Sequence, residues 1–114
     1  MKAKLLFSPE ARSDVFDIQN YISFRLSNPP AARRTIKRIR EFAAQLRDFP
    51  EMGTPLLHGD SPTPYRYLVC GSYMLFYRYE RPCVYVDRIL YGRRDYMTLL
   101  FGSDLGAEEP DERE

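Results

Sequence analysis

The sequence predicts an α+β domain in the order β-α-α-β-β-β, a helical hairpin packed on a small, mainly antiparallel sheet. Two patterns carry that prediction. Apolar residues recur at helical spacing in two stripes between residues 8 and 46, divided by Asn28-Pro29-Pro30. Three β-rich runs then follow within Tyr65 to Tyr91, divided by Gly71-Ser72 and by Arg81-Pro82. Each helix has a single apolar stripe, so the pair needs a further surface to cover, and the sheet supplies it.

Lys2 to Phe7 alternates weakly and reads as the first strand. Ser8-Pro9-Glu10 opens a helix, because serine caps free amides and proline suits the first helical position. Ala11, Val15, Ile18 and Ile22 form its apolar face, which fades near Leu26. Asp14 and Asp17 read as solvated carboxylates in the early turns, where the helix dipole favours negative charge. Asn28 caps the second helix, whose stripe is Ala32, Ile36, Ile39, Ala43 and Leu46. Arg33, Arg34, Lys37, Arg38 and Arg40 fall mainly off that stripe. The short break between the helices predicts an antiparallel hairpin.

Phe49 to Pro64 carries six Pro and Gly residues and reads as a loop. In the middle strand Leu75, Tyr77 and Tyr79 share one face, and Met74, Phe76 and Arg78 the other. In the last, Val84, Val86 and Leu90 alternate with Tyr85, Asp87, Ile89 and Tyr91. One sheet face is expected to cover the helices while the other keeps aromatics and arginines near solvent. Arg94 to Phe101 is expected to form a last helical turn or two, or an extended arm.

A chain of 114 residues holds one domain, expected over 1–101, with 102–114 as an acidic, disordered tail. Of 17 Lys/Arg and 16 Asp/Glu, that tail has one base and six acids, leaving 16 bases and 10 acids in the body. A basic body suits an acidic protein partner or a nucleic acid. No run reaches the ~18 apolar residues of a membrane span, and the N-terminus turns charged too early for a signal peptide. A cytoplasmic protein is expected. Cys70 and Cys83 would stand at opposite ends of the middle strand, too far apart for a disulfide, so both are read as reduced. The lone His58 lies in the Gly/Pro-rich stretch, and no metal site or cofactor is expected.

The chemistry-bearing side chains gather late in the chain: Arg66, Arg78, Arg88, Tyr91, Arg93, Arg94 and Tyr96. Arginine offers a planar fork of donors to phosphate, and tyrosine stacks on a base or bonds a phosphate oxygen. The competing reading pairs some of these arginines with Glu80, Asp87 and Asp95. No Ser/His/Asp set, nucleotide-binding glycine loop or paired-histidine motif is present.

The order and spacing of several short segments resemble the RelE/ParE superfamily, the toxins of bacterial type II toxin–antitoxin pairs. These are Ser8-Pro9-Glu10-Ala11 with Asp14, Ile18 and Tyr21-Ile22; Phe49-Pro50 with Met52-Gly53; Gly71-Ser72-Tyr73 with Phe76-Tyr77-Arg78; and Val86 to Asp95. The resemblance covers nearly all but the tail. It implies a growth-inhibiting toxin, neutralised by a cognate antitoxin in a hetero-oligomer, with no cofactor. RelE-like members cleave mRNA at the ribosome without metal; ParE-like members block DNA gyrase. On the nuclease reading Arg66, Arg94 and Tyr96 would be catalytic, although Leu100 falls closer to the nuclease spacing than Tyr96. In such nucleases a cation usually precedes the apolar–apolar–Tyr of the middle strand, and here that residue is Met74. The Gly-Ser-Tyr run and the long helices favour the ParE-like branch. Arg78, Arg88, Tyr91, Arg93, Arg94 and Tyr96 would then meet the target. A third reading is an inactive member that keeps only antitoxin binding.

Overall fold

The structure, a computed structural model, describes residues 2–92 and 96–102. Arg93, Arg94, Asp95 and the expected tail from residue 103 onward lie outside the described residues. Strand β1 (Lys4–Phe7) leads into α1 (Pro9–Asn20), which widens into a π-helical turn (Tyr21–Arg25). Helix α2 (Pro29–Gln45) follows, then β2 (Thr54–His58), β3 (Ser61–Cys70), β4 (Tyr73–Glu80), β5 (Cys83–Tyr91) and α3 (Tyr96–Phe101). The sheet order is β1-β5-β4-β3-β2, with β1 parallel to β5 and every other pair antiparallel.

The expected α+β class holds, with helices packed on an open sheet. The caps form as the residue types dictate. Ser8 Oγ accepts from the Ala11 amide at 2.9 Å, and Asn28 Oδ1 accepts from the Ala31 amide at 3.2 Å. Ile18, Ile22, Ile39, Ala43 and Leu46 bury against Leu68, Leu75, Tyr77, Val84, Val86 and Ile89. No helix among the described residues is long and apolar enough to cross a membrane. Both cysteines are free thiols, Cys70 buried and Cys83 half-buried.

Four local expectations are corrected. Phe49 to Pro64 is not all loop: Thr54–His58 pairs antiparallel with the start of β3 across the turn at Gly59-Asp60. Pro55 is tolerated because β2 is the edge strand. Second, strict alternation fails in β5. The β4–β5 register shifts so that Phe76 faces Arg88 while Tyr77 faces Val86, leaving Asp87 as the extra, bulged residue. The bulge reverses the phase: Ile89 joins Val84 and Val86 in the helix-side core, and Leu90 goes to the opposite face. Third, that opposite face is not open. Leu56, Phe76 and Leu90 form a second small core, packed by Tyr65, Tyr67 and Met74 and covered by Tyr96, Leu99, Leu100 and Phe101 of α3. Fourth, Asp14 is buried, at 8% exposure, whereas Asp17 is exposed.

Candidate functional site

The strand arginines are held by the protein itself. Arg78 Nε donates to Asp87 Oδ2 and Arg78 Nη1 to Glu80 Oε2, the latter at 2.7 Å. The guanidinium carbon also lies 4.8 Å from the Tyr85 ring centroid. The Asp87 hydrogen bond holds the Arg78 proton more tightly than usual, against a smaller opposing effect of burial. The bulge that breaks the alternation therefore also places Asp87 against Arg78. Ser8 Oγ donates to the Asp87 carbonyl at 2.8 Å, so the α1 cap fastens the same point.

Arg88 forms a two-pronged pair with Asp14, Nε to Oδ2 at 2.9 Å and Nη2 to Oδ1 at 3.0 Å. Asp14 Oδ2 also accepts from the Ile89 amide at 2.9 Å. Strand β1 pairs with β5 only as far as Val86. Beyond it, the carboxylate takes over as acceptor for the strand edge, and a buried carboxylate is thereby satisfied. The hydrogen bonding of Arg88 to the Asp14 carboxylate is the main reason the Arg88 pKa is raised.

Arg66 Nη1 donates to the Gly53 carbonyl at 2.9 Å and to the Glu51 carbonyl at 3.2 Å. Tyr77, fully buried, fixes the same segment: its hydroxyl accepts from the Gly53 amide at 2.9 Å and donates to the Pro50 carbonyl at 2.8 Å. A Cβ at Gly53 would lie 2.7 Å from the Tyr77 ring, so only glycine fits there. Burial is the main cause of the raised Tyr77 pKa.

The tyrosines divide. Tyr91 is exposed at the end of β5, its ring edge-on to Tyr73 at 5.9 Å. Tyr96 begins α3 and packs against Phe76 at 5.1 Å. Met74 lies in the apolar cluster with Phe76 and Leu90. A polar cleft of about 410 Å³ separates the α1 start from α3, lined in part by Glu10, Tyr65, Arg78, Asp87 and Arg88. Its guanidinium groups already face carboxylates, so it is charge-balanced rather than open to phosphate. Arg78 and Arg88 thus meet at one cleft, while Arg66 stands apart on the 50–53 segment and Tyr91 near the π-helical turn.

Sequence reasoning missed Asp14, Tyr65 and the Tyr77–Gly53 contact. Met52-Gly53 and Tyr77 after Leu75-Phe76 were visible, but nothing local joins positions 24 apart. Among the described residues no group of three or more His, Cys, Asp or Glu is placed to hold a metal ion.

No match to the sequence is found among curated proteins. One solved structure with a similar fold is from the chromosomal ParDE toxin–antitoxin system of P. aeruginosa. It is 17% identical, with a TM-score of 0.66, over 79% of this chain and 96% of that one. Another is from the toxin–antitoxin complex RelBE2 of Mycobacterium tuberculosis. It is 23% identical, with a TM-score of 0.60, over 80% of this chain and 99% of that one. The family model for the ParE toxin of the type II toxin–antitoxin system parDE matches residues 5–96. That match takes in both long helices, β2 to β5 and all but the first residue of β1, and the chain belongs to the ParE toxin family of type II toxin–antitoxin systems.

Proposed function

We propose that this toxin arrests growth by binding a protein target, DNA gyrase, rather than by cutting mRNA. The observation that carries the reading is the ion pairing of Arg78 and Arg88, with Arg66 bonded to backbone carbonyls and Met74 packed in an apolar cluster. A nuclease needs free cations at the scissile phosphate, and each one lost typically costs about 3–4 kcal/mol of transition-state stabilisation. Methionine offers no charge there. Arg66, Arg78 and Arg88 then serve as framework, and Tyr91, Arg93, Arg94 and Tyr96 meet the target at the end of β5, where Arg and Tyr suit a protein interface.

The partner is a cognate antitoxin, in keeping with the toxin–antitoxin complexes that share the fold. An acidic–apolar antitoxin segment that orders on binding suits the basic body. The toxin acts in the cytoplasm, where gyrase is found. Expression of the chain without antitoxin tests the reading. Induction of the DNA-damage response with intact mRNA is the expected result. Ribosome-dependent mRNA cleavage without DNA damage would replace it with the nuclease reading, and full growth in both assays with an inactive member.

A further inference from the structure

A groove of about 810 Å³ runs between α1, the π-helical turn and the last residues of β5. Its floor is apolar, with Ile22 and Ile89 buried beneath it. Three tyrosines stand around it: Tyr21, half exposed, and the edge-on pair Tyr73 and Tyr91. Each nearby phenol makes ionisation of Tyr73 harder, after the larger effect of burial, so the three hydroxyl groups share one neighbourhood.

The charge of this groove is opposite to that of the body around it. Residues 1–101 carry 16 bases and 10 acids, yet among the described residues the charged ones lining the groove are Asp14 and Asp17. Asp14 is already satisfied by Arg88 and the Ile89 amide. Asp17 is exposed and has no ion pair among the described residues. An exposed carboxylate and three tyrosines lining one groove over an apolar floor suit a guanidinium or ammonium group on an aliphatic stem. The rings attract the cation, the carboxylate neutralises it, and the floor buries its neighbours.

We propose that this groove docks an apolar segment of a partner protein through one Arg or Lys side chain, held by Asp17 and the rings of Tyr21, Tyr73 and Tyr91. The groove is distinct from the arginine cleft but shares Tyr91 with the proposed target surface, so its test reads peptide binding and not toxicity.

The test is titration of the full chain with acetyl-Leu-Arg-Leu-amide and acetyl-Leu-Gln-Leu-amide, followed by tyrosine ring resonances. The arginine peptide should shift Tyr21, Tyr73 and Tyr91 saturably and bind at least about threefold tighter than the glutamine peptide, the size of one exposed cation–π contact. Asp17→Asn and Tyr21→Leu should each erase most of that preference. Both residues are exposed, and an unchanged amide spectrum checks that the fold is intact. Equal binding of the two peptides, or no saturable shift, would overturn the proposal. So would binding that emerges only in an Arg93→Ala, Arg94→Ala variant, since the chain's own basic turn would then be the occupant.

Discussion

On its helix-covered face the sheet buries Leu75, Tyr77, Val84, Val86 and Ile89 at 2% exposure or less, beneath helices of 12 and 17 residues. On the opposite face Leu56, Phe76 and Leu90 are buried under α3, a helix of six residues. An isolated helix that short is unstable in water, so ring contacts hold it: Tyr96 on Phe76, and Phe101 stacked on His58 at 5.0 Å and edge-on to Tyr65. The two faces divide the work. The first is a packed core with little freedom to change. The second is a small core under a thin cover, beside a cleft whose arginines face carboxylates, and local opening is expected there first.

The comparison breaks if the two faces respond alike to truncation. Leu75→Ala should cost about 3 kcal/mol in urea denaturation, because a fully buried leucine leaves a cavity that strands cannot close. Leu99→Ala, on half-buried α3, should cost less than about 1 kcal/mol. Equal losses would mean that α3 is as firmly seated as the main core.

The two aspartates of α1 sharpen the same contrast. Asp14→Ala leaves Arg88 without its partner and the Ile89 amide without an acceptor, so a loss of about 3 kcal/mol is expected. Asp17→Ala, on the exposed side, should change stability by less than about 0.5 kcal/mol. Thermal melts of the two variants side by side decide it.

A smaller effect follows from pH. Burial of Cys70 on the helix side pushes its thiol up from 9.0 to about 11. The folded state then holds its proton where the unfolded chain has released it. The stabilisation is complete below pH ~9 and is lost as pH rises towards ~11, amounting to roughly 2 kcal/mol. Tyr73 and Tyr77, also raised mainly by burial, act in the same direction. Cys70→Ala should flatten part of the alkaline slope in denaturation curves. In thiol labelling at pH 8 the half-buried Cys83 should react well before Cys70.

The helices were legible because their caps and stripes are local: Ser8-Pro9 and Asn28-Pro29 act within a turn, and the apolar spacing needs no distant partner. The three late strands were legible for the same reason. Strand β2 was hidden by the Pro and Gly around it, although Leu56-Leu57 before the Gly59-Asp60 turn was a usable hairpin signal. The Asp87 bulge was not legible, since one added residue leaves no mark on composition while reversing which side Ile89 and Leu90 face. Asp14 resembled any acid in the early turns of a helix because its partner, Arg88, stands 74 residues away. Pairing of an arginine with Glu80 and Asp87 was open to view in the sequence, as Arg78 shows, but the contacts of Arg88 with Asp14 and of Arg66 with Gly53 depend on tertiary neighbours.

We propose that the sheet arginines are framework and that growth arrest comes from binding a protein. The purified full chain, added in parallel to a gyrase supercoiling reaction and to a translation extract, tests it most directly. Inhibited supercoiling with mRNA left intact is the predicted result. Ribosome-dependent cleavage of mRNA with supercoiling unaffected would contradict it.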